Sequence, residues 1–162
     1  MSGKPKPSHL DDQGRARMVD VGDKQPSRRE AEAEAWVEFP APAFQALLDG
    51  RAPKGGIVEP ARIAGVMAAK RTAELIPLCH PLGLDDVQID IEPASDGSPR
   101  LRVRCRAATS ARTGVEMEAM TGAAVAALTL YDMCKALDKG IRIAELRLLA
   151  KSGGKSGRWQ AE

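Results

Sequence analysis

Asp86-Val-Gln-Ile-Asp-Ile-Glu92, Ser95-Asp-Gly-Ser-Pro99 and Leu101-Arg-Val-Arg-Cys-Arg-Ala107 decide the fold. Val87, Ile89 and Ile91 alternate with polar residues, the Ser-Asp-Gly-Ser-Pro run turns the chain, and Leu101, Val103, Cys105 and Ala107 resume the alternation. Period two puts the apolar side chains of each strand on one face, so the stretch reads as a β-hairpin with one buried side. Its other side sets Asp86, Gln88, Asp90 and Glu92 against Arg102, Arg104 and Arg106. Opposite charges facing each other across a ladder satisfy one another, which removes the reason to read these arginines as a nucleic-acid patch.

Upstream, Ala31, Ala33, Ala35, Val37 and Phe39 alternate with Glu30, Glu32, Glu34 and Glu38. Glu and Ala both favour helices, but the same period continues through Trp36-Val-Glu-Phe39 and tips the reading to a strand. Pro42 to Leu48 reads as a short helix ended by Asp49-Gly50, and Pro60 to Leu75 as a longer one with proline in its first turn. Downstream, Thr121 to Leu137 is apolar on nearly every side and reads as a buried helix; Ile141, Ile143, Leu146 and Leu148 suggest a last strand. The order strand, helices, hairpin, helix, strand predicts an α+β fold, an antiparallel sheet with helices packed on one face, of ferredoxin-like kind. The expected organisation is a flexible N-terminal segment over 1–20, a single α+β domain over 21–150 and a Gly/Lys-rich C-terminal tail over 151–162.

Composition narrows the function classes. A chain of 162 residues with 43% hydrophobic content suffices for one real core, and a formal charge of +2 gives no overall field for binding nucleic acid. Aromatics are 3% of the chain, too few for the stacking rings of an RNA-binding sheet. No run of 18 apolar residues offers a membrane span, and the polar, proline-rich start leads to the expectation that the protein is not exported. Cys79, Cys105 and Cys134 form an odd set without Cys-x-x-Cys spacing, which suits reduced thiols in a cytoplasm.

Several side chains stand out as chemistry. Asp132 and Lys135 are the only charges in the greasy Thr121–Leu137 stretch. One turn apart, on a stripe with Val125 and Leu128, they are expected to be a buried pair with shifted proton affinities; an ordinary i,i+3 ion pair is the competing reading. His80 sits between two prolines that restrict it, a candidate ligand contact or acid/base group. Glu116 and Glu118, after Thr113-Gly114, open the long helix, where they serve either as capping acids or as acceptors for a guanine-like N–H edge. Lys151-Ser-Gly-Gly-Lys155-Ser-Gly has the glycines and cations of a phosphate loop but lacks the first glycine and the following helix of a nucleoside-triphosphatase loop. Lys54, Lys70-Arg71 and Arg28-Arg29 add further cations. No spaced Cys/His set completes a zinc site, so no protein-held metal is expected, while carboxylate-bound magnesium stays open.

Taken in order, Met-Val-Asp-Val at 18, Arg-Glu-Ala at 29, Lys-Gly at 54, Ala-Arg-Ile-Ala-Gly at 61, Ala-Ala-Lys-Arg-Thr at 68, Leu-Ile-Pro-Leu-Cys-His-Pro-Leu at 75, Thr-Gly-Val-Glu-Met-Glu-Ala at 113, Leu-Tyr-Asp-Met-Cys-Lys-Ala at 130 and Leu-Leu-Ala-Lys-Ser-Gly-Gly-Lys-Ser-Gly at 148 closely resemble the cyclic pyranopterin monophosphate synthases, the second-step enzymes of molybdenum cofactor biosynthesis. The resemblance spans roughly residues 9 to 158; Gly56 stands where many relatives carry an acid. It implies a lyase that converts 3′,8-cyclo-7,8-dihydro-GTP into cyclic pyranopterin monophosphate and pyrophosphate. By residue matching, Asp132, Lys54 and Lys135 would be the catalytic acid/base set. Leu78, Cys79, His80, Glu116, Met117 and Glu118 would bind the substrate, and Arg29, Lys70, Lys151 and Lys155 its triphosphate. The resemblance also implies a homohexamer built from dimers with sites at subunit interfaces. No cofactor is expected, with magnesium accompanying the triphosphate left open. The alternative is a noncatalytic nucleotide-binding ferredoxin-like regulatory module, in which the same cations and Glu116 hold ligand while Asp132 and Lys135 only support the fold.

Overall fold

The computed structural model describes residues 9–162. The expected flexible segment therefore lies partly outside the described residues, at 1–8. Residues 9–20 include a turn in which Leu10 bridges Ala16. The elements are β1 (Ser27–Glu38), α1 (Ala41–Leu48), α2 (Val58–Lys70), α3 (Thr72–Leu75), β2 (Asp86–Pro93), β3 (Arg100–Ala111), α4 (Glu116–Cys134), β4 (Arg142–Ser152) and β5 (Trp159–Gln160). The sheet runs β2-β3-β1-β4-β5 with every neighbouring pair antiparallel. A β1–α2–β2–β3–α4–β4 chain with its strands laid out β4-β1-β3-β2 is the ferredoxin-like arrangement expected from the order of elements.

The alternation read in the sequence is realised in the central ladder, where β1 pairs β3 from Ser27↔Ala111 to Glu38↔Arg100. Ala33, Ala35, Val37, Val103 and Cys105 are fully buried on the face that carries the helices. The open face is ionic: Arg106 pairs with Asp90, and Arg104 with Glu32 and Glu92. Glu34, only 1% exposed, accepts from Arg102 Nε at 2.7 Å and Arg147 Nε at 2.8 Å. Burial pulls its carboxyl up, and the two arginines outweigh that and hold it below the usual range.

Helix α4 presents a stripe of small residues to the core: Ala119, Gly122, Ala123, Ala126 and Ala127, closed by Leu130 and Cys134. Small side chains let α2 cross at backbone contact. A Cβ on Gly65 would lie 2.9 Å from the Gly122 carbonyl oxygen, and one on Gly122 would lie 2.6 Å from Cys105 Sγ. Gly65 meets Gly122 and Ala126 while Ala69 meets Gly122, so α2 and α4 run in opposite senses. The expected helix over 60–75 breaks at Arg71: its N–H bonds the Ala68 carbonyl, and the buried Thr72 hydroxyl donates to the Ala69 carbonyl at 2.9 Å. That ends α2 and starts the four-residue α3.

Strand β4 carries two bulges against β1. Arg147 faces Glu34 and Ala144 faces Trp36, so Glu145 and Leu146 together oppose Ala35; Leu148 faces Ala33 and Ala150 faces Glu32, so Leu149 is the second extra residue. Glu145 adopts a positive φ of 52° at the first bulge. Lys151 and Ser152 belong to β4, and Trp159–Gln160 return beside Ala150 and Lys151. No helix among the described residues is long and apolar enough to cross a membrane.

Candidate active site

At the start of α4 a cavity of about 300 Å³ opens. It is lined by Leu78, Cys79 and His80 from the loop after α3 and by Glu116, Met117 and Glu118 from the first turn of the helix. These are the six side chains expected to meet the substrate, and the fold brings them to one place because β3 delivers the chain to α4 beside the β2 loop. His80 donates from Nε2 to the Val19 carbonyl at 2.8 Å, which fixes its ring and leaves Nδ1 as the free nitrogen. Glu116 folds back over Gly114, where a Cβ would lie 1.9 Å from its Oε2, and it accepts from Lys151 Nζ at 2.8 Å. Glu118 is 5% exposed. Burial first, and the charge of Glu116 second, push its carboxyl above the usual range. The Cys79 thiol is pushed up by burial and by Glu118. Two carboxylates in a half-apolar hollow suit a ligand that offers N–H donors.

Of the cations expected at the triphosphate, Lys151 meets the cavity wall directly, through Glu116. Arg29 reaches the Ala111 carbonyl from Nε at 3.4 Å, two residues before the cavity wall begins at Thr113. Lys70 ends α2, which the opposed helix directions bring toward the start of α4. Lys155 is exposed in the turn between β4 and β5. His9, Val19, Val21, Lys24 and Thr113 also line the cavity. The sequence did not place the first four there, because the 9–26 stretch has no periodicity that would dock it; Met18-Val-Asp-Val, a motif of the resemblance, was the available signal. A larger hollow, about 410 Å³, lies on the open face of the sheet, where Arg28 is engaged by Glu30 and Asp85 and Arg106 by Asp90.

The expected catalytic set lies elsewhere. Lys54 Nζ and Lys135 Nζ each approach a different oxygen of Asp132 at 2.7 Å. Two corrections follow. The pair is not buried: Asp132 is 52% exposed, Lys135 51% and Lys54 45%. The stripe of Val125, Leu128, Asp132 and Lys135 faces outward, since the Ala/Gly stripe takes the core and α4 ends at Cys134, with Lys135 as its C-cap. Nor is Lys135 made a better base. Asp132 raises its proton affinity, while Lys135 first and Lys54 second hold the Asp132 carboxyl down at about 2. Four and a half turns of α4 separate Glu116 from Asp132, roughly 24 Å along the axis. One chain therefore does not unite the cavity with the ionic trio.

The chain is 51% identical over 155 residues to the cyclic pyranopterin monophosphate synthase of Desulforapulum autotrophicum, covering 96% of this chain and 94% of that protein. It is 52% identical over 159 residues to the synthase of the same name from Brucella ovis, covering 98% and 94%. The MoaC family matches residues 18–154, and the chain belongs to that family.

Proposed function

We propose that the protein is a cyclic pyranopterin monophosphate synthase: it converts 3′,8-cyclo-7,8-dihydro-GTP into cyclic pyranopterin monophosphate and pyrophosphate in molybdenum cofactor biosynthesis, in the cytoplasm. The observation that carries this reading is the cavity that gathers Leu78, Cys79, His80, Glu116, Met117 and Glu118 beside Lys151. Glu116 and Glu118 accept the N–H donors of the guanine-derived ring, and His80 offers Nδ1. Arg29, Lys70, Lys151 and Lys155 neutralise the triphosphate and the charge that grows on departing pyrophosphate. Opening the imidazole-derived ring and closing the cyclic phosphate both require protons to move between nitrogen and oxygen, the work of Lys54, Lys135 and Asp132. Because Asp132 raises the proton affinity of Lys135, that lysine enters the reaction as an ammonium acid. No resident cofactor takes part; any magnesium arrives on the phosphate oxygens.

The roughly 24 Å between cavity and trio supports a site completed by a second copy, whose Lys54, Asp132 and Lys135 close over the cavity of the first. The family resemblance extends this reading to a homohexamer built from such dimers. The test incubates purified protein with the cyclised nucleotide and reads oxidised pterin fluorescence together with pyrophosphate. Glu116→Gln and Asp132→Asn are each expected to be inactive, and their mixture, reassorted, to recover roughly a quarter of wild-type activity. No recovery would show that both halves act within one copy, and binding without turnover in the wild type would favour the regulatory module.

A further inference from the structure

We propose that Gly154 is a positioning residue that holds the guanidinium of Arg29 in place to grip the end of a polyphosphate. Gly153 and Gly154 follow one another with φ of 98° and 69°, a left-handed pair that only glycine adopts without strain. Space matters more than backbone freedom here. A Cβ on Gly154 would lie 1.7 Å from Arg29 Nη1 and 2.5 Å from its Cζ, inside the guanidinium. A Cβ on Gly153 would lie 2.1 Å from the Arg28 carbonyl oxygen and 3.2 Å from Arg29 Cδ. The loop after β4 is thus seated on Arg28 and Arg29, and the Ala111 carbonyl accepts from Arg29 Nε at 3.4 Å.

Charge separates the two arginines. Arg28 is engaged by Glu30 and Asp85, whereas among the described residues no carboxylate pairs with Arg29. A guanidinium fixed in direction by a backbone seat and a carbonyl, with its terminal nitrogens unneutralised, suits a phosphate fork. Lys151 lies in the strand that leads into this loop, with its ammonium on Glu116 at the cavity wall, which links the seat to the base-binding hollow. The inference rests on the proposed reading of Arg29 as a triphosphate contact, and it assigns the glycine's role to the room it leaves.

Gly157 supplies the control. Its φ is 63° and nothing lies within 4 Å of where its Cβ would sit, so Gly157→Ala imposes similar backbone strain without touching Arg29. The experiment measures calorimetric affinity of the full-length protein for inorganic tripolyphosphate, and separately KM and kcat, for Gly154→Ala, Gly157→Ala, Arg29→Ala and Gly154→Ala/Arg29→Ala. Gly154→Asn is the second variant, since asparagine tolerates the left-handed conformation yet brings a Cβ. The expected result is that Gly154→Ala and Gly154→Asn weaken tripolyphosphate roughly tenfold, as Arg29→Ala does, and that both raise KM and lower kcat in the same proportion as Arg29→Ala. Gly157→Ala is expected to stay within about twofold, and the double variant to be no weaker than Arg29→Ala alone. Equal effects at Gly154 and Gly157, additive effects in the double variant, or wild-type protein that turns over substrate without binding tripolyphosphate would each overturn the proposal. Coupled loss of tripolyphosphate binding in a protein that never turns over the nucleotide would uphold it and defeat the proposed reaction instead.

Discussion

The two ends of α4 are built on opposite principles. At its start, Glu118 is buried in a hollow beside the charge of Glu116, and its proton affinity rises. At its finish, Asp132 lies half in solvent between two ammonium groups, and its proton affinity falls to about 2. The first end is shaped before any ligand arrives; the second has its charges set but no walls. A recognition pocket can be complete within one chain, whereas proton-transfer groups open to water gain their strength only once something covers them.

The largest effect expected to test that contrast is catalytic. Asp132→Asn should lower single-turnover product formation by about 10² or more while leaving the melting temperature unmoved, because an exposed pair adds little to the fold. Retained turnover would reduce the second end to an ordinary surface ion pair. The spacer between the ends is the next target. Gly122→Ala brings a methyl to 2.6 Å from Cys105 Sγ, so denaturant unfolding should report a net loss of about 1–2 kcal/mol despite the better helix propensity of alanine.

Glu118→Gln should raise stability by about 1 kcal/mol at neutral pH and weaken substrate binding. The sign follows from the raised carboxyl. Its native proton affinity exceeds that of the unfolded chain, so the wild type loses stability as pH rises past the unfolded value of 4.5 and through the native one, and the amide variant escapes that loss. Stability curves that run parallel with pH would remove the strain ascribed to the first end. The smallest effect concerns Asp132, whose lowered carboxyl adds stability above 3.8 that disappears as pH falls toward about 2. Carboxyl titration by NMR should place its midpoint near 2, and an ordinary midpoint near 3.8 would mean the trio is not formed in solution.

The hairpin was legible because its two signals agree: period two places Ile89, Val103 and Cys105 inward, and the polar positions between them carry matched charges. The start of α4 was legible for a similar reason, with Glu116 and Glu118 where a helix welcomes acids and a glycine just before them. The orientation of the same helix was not. Its length is so rich in alanine and leucine that composition points everywhere, and the inner stripe is chosen by how closely α2 must approach, a requirement for Gly65 and Gly122 that no single helix displays. Leu128, greasy yet 56% exposed, is the price of that choice. The docking of Val19 on His80 also escaped notice, since a backbone carbonyl has no signature in sequence.

The extra residue Leu149 governs where a lysine points. Neighbours across an antiparallel ladder share a face, and Lys151 lies opposite Ala31, on the helix side, within reach of Glu116. Counting on from Leu148↔Ala33 with Leu149 paired against Glu32 would set Lys151 opposite Glu30, on the outer surface among the arginines. A single unpaired residue thus works as a half-turn of the strand: were Leu149 drawn into the ladder, every chemical group of the β4 end would remain and its ammonium would point to the wrong side of the sheet.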